Sequence, residues 1–178
     1  YYIPIIPTIL VNGCKAGIGT GWSTSIPSYN PKDLINCIKD WLDKKSIRDI
    51  NPYYKGFKGS IKKINNTKYE TCGIYNKVGN KYSITELPVM TWTDKQKEYY
   101  ESLLENKKIK SLKNYSTPEK VHFDIIENDS MKCNLETLKL TSTLSTSNMV
   151  LFIDDMKLKK YKDINDIIDD FCIKRYNL

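Results

Sequence analysis

The sequence predicts an α+β fold, with mixed and largely antiparallel sheets and flanking helices arranged in two lobes. Three observations predict it. Strand-like runs and helical patterns follow one another in mixed order rather than in regular alternation. Residues 60–87 read as consecutive strands separated by short Asn and Gly turns. Three segments carry apolar residues at helical spacing behind recognisable start signals. The lobes are expected to meet near Ser83 to Pro88. The corresponding division is residues 1–83, 84–162 and a terminal helix over 163–178.

In chain order, Tyr1-Tyr2-Ile3-Pro4-Ile5-Ile6-Pro7 reads as an extended segment, because its two prolines disfavour helix. Ile9-Leu10-Val11 reads as a short buried strand. Asn30-Pro31-Lys32-Asp33 starts a helix with a capping Asn, Pro at the first position and an acidic first turn. Leu34, Ile35, Ile38, Trp41 and Leu42 then mark its buried face, and it ends near Lys44-Lys45. Ser60–Ile64, Lys68–Tyr75 and Tyr82–Leu87 form the expected meander, with turns at Asn65-Asn66 and Gly79-Asn80. Thr93-Asp94-Lys95-Gln96 has the capping-box spacing. Tyr99, Tyr100, Leu103 and Leu104 give the helix behind it an apolar face. Strands are expected over 109–115 and 120–126, and a short helix over 131–138. Ser147–Ile153 and Lys157–Tyr161 read as a hairpin. Asp163 caps a last helix carrying Ile164, Ile167, Ile168, Phe171 and Cys172 on one face. That helix meets no stop signal, so the chain is expected to be a piece of a longer protein.

One stretch stands apart. In Asn12-Gly13-Cys14-Lys15-Ala16-Gly17-Ile18-Gly19-Thr20-Gly21-Trp22-Ser23, four glycines fall within nine residues. Glycines allow positive φ and close backbone approach. An apolar side chain raised on such a loop, Ile18, is badly placed for a core and well placed to enter another molecule. The ordinary alternative is a tight turn with Ile18 buried. A nucleotide-binding loop is disfavoured by spacing, since neither GxGxxG nor a terminal Gly-Lys-Ser/Thr is present and Ile26-Pro27 blocks an immediate helix.

The 178 residues suffice for one real core or two small ones. Mean hydropathy is −0.51, and no apolar run approaches the ~20 residues of a membrane span. No secretory leader is visible. The five cysteines, Cys14, Cys37, Cys72, Cys133 and Cys172, are scattered without a CxxC pair. That pattern argues against zinc and against a disulfide framework, and suits a reducing compartment. Net charge is +7, carried almost entirely by lysine; Arg48 and Arg175 are the only arginines. Lysine attracts phosphate as a point charge, whereas arginine reads bases bidentately. Codon bias toward Lys, Asn, Ile and Tyr explains the same composition. Lys15, Lys55, Lys58, Lys62 and Lys63, interleaved with Trp22, Tyr53, Tyr54 and Phe57, form a candidate basic and aromatic surface, against the alternative of a solvated lysine face. His122 is the only histidine and is expected to be structural or solvent-facing. Asp154-Asp155 at a hairpin turn and Asp169-Asp170 on a helix read as surface charge rather than metal ligands. No catalytic constellation emerges.

Several motifs occur together in a known order. They are Ile3-Pro4-Ile5-Ile6-Pro7, Leu10-Val11-Asn12-Gly13, Gly17-Ile18-Gly19-Thr20-Gly21-Trp22-Ser23 and Ile26-Pro27, then Tyr54-Lys55-Gly56-Phe57-Lys58-Gly59. Ile84-Thr85-Glu86-Leu87-Pro88-Val89 with Thr91-Trp92-Thr93 follows, then Asn148-Met149-Val150-Leu151-Phe152, Lys159-Lys160-Tyr161 and Lys174-Arg175. Over essentially its whole length the chain resembles eukaryotic-type DNA topoisomerase II, and more weakly the A subunit of bacterial gyrase.

The resemblance implies the tower region of a DNA cleavage and rejoining core, with residues 1–83 as a DNA-bending lobe and the last helix leading toward coiled-coil arms. Ile18 would enter the duplex between base pairs and Trp92 would contact DNA; Gly17, Gly19, Ser23, Lys55 and Lys58 complete the expected DNA-binding set. The competing reading of Trp92 is a buried aromatic beside the lobe junction. The resemblance further implies double-stranded DNA as partner, a homodimeric nuclear enzyme, and Mg2+ and ATP bound elsewhere. No catalytic residue and no metal ligand is assigned here, because the family's catalytic tyrosine lies upstream; Arg175-Tyr176 imitates its dipeptide in the wrong place. Two departures from the pattern stand out: the spacer Cys14-Lys15-Ala16 is one residue longer than usual, and Met90 stands where arginine is common. The fragment alone is expected to be inactive. The rival classes are a stand-alone, non-enzymatic nucleic-acid module and a glycine-loop nucleotide enzyme.

Overall fold

The computed structural model describes residues 3–153 and 156–178. Tyr1, Tyr2 and the Asp154-Asp155 pair lie outside the described residues. Four helices and eleven strands are described: α1 (Thr8–Asn12), β1 (Cys14–Gly19), β2 (Trp22–Ile26), α2 (Pro31–Leu42), β3 (Ser60–Asn65), β4 (Lys68–Cys72), β5 (Ile74–Val78), β6 (Lys81–Glu86), α3 (Thr93–Glu105), β7 (Ile109–Asn114), β8 (Phe123–Glu127), β9 (Thr141–Ser145), β10 (Met149–Phe152), β11 (Leu158–Tyr161) and α4 (Ile164–Tyr176). The described strands form two-stranded sheets β1-β2 and β10-β11, a three-stranded sheet in the order β3-β4-β9, and a four-stranded sheet in the order β5-β6-β8-β7. Every neighbouring pair in the four-stranded sheet is antiparallel. The α+β class follows directly.

The chain forms two compact units, each discontinuous in sequence: residues 1–55, 63–69 and 144–178, and residues 56–62 and 70–143. The first unit is built around Leu10, Ile26, Tyr29, Leu34, Cys37, Met149, Ile167 and Ile168. Helix α2 begins as its sequence requires, with Asn30 Oδ1 accepting from the Lys32 amide at 2.9 Å. Its buried face differs from the expected one. Leu34 and Cys37 are buried, whereas Ile35 and Leu42 are exposed; a pattern read from large apolar residues passes over the small, fully buried Cys37. Helix α4 starts at Asp163, whose side chain accepts from the Asp166 amide at 3.0 Å. Ile164, Ile167, Ile168 and Cys172 are buried along it.

The second unit packs Tyr82, Ile84, Tyr100, Leu103, Phe123, Ile125, Leu138 and Leu140. Tyr100 meets Phe123 edge to face, with centroids 5.3 Å apart, a geometry that suits the ring quadrupoles.

Four expectations about elements need correction. Ile9-Leu10-Val11 is not a strand but part of the single turn α1; Gly13, at φ 66°, closes it with its amide on the Ile9 carbonyl at 2.8 Å. That closure outweighs the strand preference of the branched side chains. Residues 68–75 are two strands, not one. They break at Gly73, whose amide donates to Leu140 at 2.8 Å; a Cβ there would sit 2.3 Å from the Glu86 carbonyl oxygen. The meander is therefore divided between two sheets. The capping box at Thr93 does not form: Trp92 is the N-cap, without a side-chain cap bond, and Gln96 is buried with Nε2 donating to the Leu138 carbonyl at 2.8 Å. Residues 131–138 form turns and irregular chain instead of a helix, and β9, which follows, was not expected.

Candidate nucleic-acid interface

The glycine stretch is an antiparallel hairpin in the first unit. Ile18 faces Ser23 and Gly19 faces Trp22 in the β1–β2 register. Thr20-Gly21 makes the turn, with Gly21 at φ 75°, a conformation glycine adopts without the Cβ clash other residues suffer. Side chains alternate across a strand, so Ile18 and Ser23 share one face while Trp22 and Thr24 share the other. Ile18 is 86% exposed. An isoleucine so open on paired strands is not serving the core, which sets aside the buried-turn alternative.

The long spacer has a structural answer. Cys14 pairs with Ile26 and Gly17 with Thr24, so three steps on β1 match two on β2, and the register shifts between them. The additional residue is absorbed as a β-bulge, a device that bends a strand and re-aims its side chains. Beyond it the ladder is regular through Ile18 and Gly19. Gly17 is required for close packing: a Cβ there would lie 2.7 Å from Thr24 Cγ2 and 3.2 Å from Cys14 Sγ. Gly19 has open space around it.

The other candidates sit elsewhere. Lys55 is exposed in a turn of the first unit, next to Gly56 at φ 84°. Lys58, in the second unit, is exposed, and its amide donates to Glu86 Oε2 at 3.3 Å. Trp92, also in the second unit, is 64% exposed at the N-terminus of α3, so it is not a buried aromatic. It follows a turn in which the Thr91 amide donates to the Pro88 carbonyl at 3.1 Å and Met90 takes φ 63°. A non-glycine residue held there is strained. Thus the structure unites Gly17, Ile18, Gly19 and Ser23 on one hairpin, and places Trp92 and Lys58 in the other unit from Lys55.

Asp124, His122 and the Asp169-Asp170 pair are bonded within the fold. Asp124 accepts from Ser83 Oγ at 2.7 Å and from Lys81 Nζ at 2.8 Å, and His122 Nε2 lies 3.1 Å away. Burial alone would raise this carboxyl, but the bonds from Lys81, Ser83 and His122 outweigh it and hold it at about 2. His122 is thus hydrogen-bonded to Asp124 while its side chain stays 35% exposed. The Asp169-Asp170 pair is not simply solvated: Asp169 accepts from Trp41 Nε1 at 2.7 Å, and Asp170 from Lys159 Nζ at 2.6 Å and the Tyr161 hydroxyl at 2.8 Å. Burial pushes the Cys133 and Cys172 thiols up to about 11, which suppresses the thiolate a nucleophile would need. Among the described residues no three His, Cys, Asp or Glu side chains group as a metal site. No described helix is long and apolar enough to cross a membrane.

Sequence reasoning overlooked the residues that hold these elements. Asn148 and Val150 bond to β2, and Thr71 and Ser142 bond to Val89. Hydrophobic period carries no signal for such contacts, which join residues far apart in the chain.

Comparison with known proteins identifies the family. The family model for the A subunit of DNA gyrase/topoisomerase IV matches residues 1–178. DNA topoisomerase 2 of Plasmodium falciparum is 45% identical over 98% of this chain, and that of Candida albicans is 40% identical, also over 98%. The chain spans 13% of the length of each. The crystal structure of the Plasmodium falciparum topoisomerase II DNA-binding, cleavage and re-ligation domain superposes with a TM-score of 0.93 at 43% identity, covering 99% of this chain and 25% of that one. The chain belongs to the type IIA topoisomerase family defined by the A subunit of DNA gyrase/topoisomerase IV, and is similar throughout to eukaryotic DNA topoisomerase 2.

Proposed function

We propose that this chain is the tower portion of a type II DNA topoisomerase and that it binds and bends the DNA segment the enzyme cuts. The observation that carries the reading is Ile18, 86% exposed on a bulged, glycine-built hairpin. An apolar wedge between base pairs unstacks a step at a cost of roughly a few kcal/mol, offset by the contacts that bent DNA makes. Trp92 supplies an indole N–H able to donate to a phosphate oxygen. Lys55 and Lys58 supply positive charge to the backbone of the duplex. The proposed lobes are residues 1–83 for bending and 84–162 for further contact, with 163–178 leading on.

The whole enzyme would cut both strands, pass a second duplex through the gap and reseal it, as a nuclear homodimer using Mg2+ and ATP. Mg2+ and ATP would be bound by other parts of that enzyme, and its catalytic tyrosine would lie upstream of this chain. The chain alone should neither cleave DNA nor hydrolyse ATP.

The experiment is Ile18→Ala in the full-length protein, with bending read by energy transfer between fluorophores at the two ends of a duplex. Bending should fall while the melting temperature stays close to that of the parent, because so exposed a side chain contributes little to folding. Unaltered bending would refute the wedge.

A further inference from the structure

A two-stranded hairpin is marginally stable by itself, yet a side chain that parts stacked bases must be held against the load the duplex returns. The β1–β2 hairpin has a fastening that meets this need. Backbone polar groups alternate in direction along a strand, so Ser23 and Ser25 both turn theirs to the outer edge of β2, away from β1. Asn148, at the entry to β10, meets both. Its carbonyl accepts from the Ser25 amide at 2.8 Å. Its side-chain Nδ2 donates to the Ser23 carbonyl at 3.2 Å and to Ser23 Oγ at 3.0 Å. A backbone carbonyl only accepts, so the amide nitrogen of Asn148 must be the atom that faces Ser23. Two residues further on, the Val150 amide donates to Thr24 Oγ1 at 2.9 Å.

Two features make this more than general packing. Ser23 is the residue directly opposite Ile18, so the fastening grips β2 at the level of the exposed isoleucine. Ser25 lies opposite the bulge, so the grip also spans the point where β1 bends.

We infer that Asn148 is the positioning residue of the wedge, locking Ser23 and Ser25 so that Ile18 meets a duplex at a fixed angle. The inference rests on the DNA-bending role of the hairpin. Asn148 acts through Ser23 and does not itself need to touch DNA.

Asn148→Asp tests it in the full-length protein with the end-labelled duplex. The change keeps size and replaces the donor that faces the Ser23 carbonyl with a carboxylate oxygen. The bent fraction should fall toward that of Ile18→Ala, and by more than affinity falls. The double variant Ile18→Ala/Asn148→Asp should bend no worse than Ile18→Ala alone, because both act on one wedge; a purely structural role would add its own loss. If Asn148→Asp fails to fold, Asn148→Ala carries the test by removing both side-chain bonds to Ser23 without placing a charge there, and a reduced bent fraction supports the inference. Normal bending by Asn148→Asp, or by Asn148→Ala in its place, alongside impaired Ile18→Ala would overturn this inference alone. Normal bending by Ile18→Ala would overturn the bending role and this inference with it.

Discussion

Thr71 Oγ1 and Ser142 Oγ lie 2.8 Å apart, and together they hold both backbone polar groups of Val89. The Val89 amide donates to Thr71 Oγ1 at 3.2 Å, and Ser142 Oγ donates to the Val89 carbonyl at 3.1 Å. With the Ser142 proton committed there, the proton between the two hydroxyls comes from Thr71. The result is a closed circuit in which two side chains replace a strand partner for the turn leading to Met90 and Trp92. Thr71 is fully buried. Thr71→Val keeps the shape and deletes the hydroxyl, leaving the Val89 amide without its acceptor. A buried group so stranded costs about 1–3 kcal/mol. Urea unfolding should show that loss for Thr71→Val and a smaller one for Thr71→Ser; equal stability of Thr71→Val and the parent would rule the circuit out.

Asp124 sets an acid limit on the second unit. Its carboxyl is held at about 2 against an ordinary value of 3.8. A carboxyl depressed in the folded state stabilises the fold above its unfolded value, and that contribution disappears as pH falls through the folded value. The loss should therefore fall between about pH 4 and pH 2. Melting temperature measured over that range should drop less steeply in Asp124→Asn than in the parent. A variant with the parent's full acid sensitivity would assign the effect to other carboxylates.

Much of the local structure is legible in the sequence, and the illegible parts share a cause. Asn30-Pro31 and Asp163 announce their helices because capping is chemistry between residues two or three apart. Ile18 is legible as an outward side chain because glycines crowd around it. Gly73 is not legible as a strand break, since its reason lies in Glu86 and Leu140. Gln96 fits a capping box by spacing, but burial against Leu138 claims its amide instead. The return of residues 144–178 to the first compact unit leaves no trace in local period. The hairpin itself is readable from a dozen residues; its fastening to Asn148, 125 positions away from Ser23, is not.

The roles of lysine and tryptophan in DNA contact separate by salt. A lysine that neutralises a phosphate releases a counterion, and each such contact adds about 0.9 to the slope of log affinity against log salt. An indole N–H on a phosphate is neutral and releases none. In the full-length protein, Lys58→Ala should therefore weaken binding most at low salt and flatten the slope by about 0.9, and Lys55→Ala should do the same. Trp92→Phe keeps an aromatic ring and removes the donor, so it should weaken binding about equally at every salt concentration with the slope intact. Titrations of a labelled duplex at four or five salt concentrations read both quantities. Parent-like affinity of Trp92→Phe throughout would rule out the indole N–H bond to phosphate, and an unaltered slope in Lys58→Ala would return that lysine to the ordinary solvated surface.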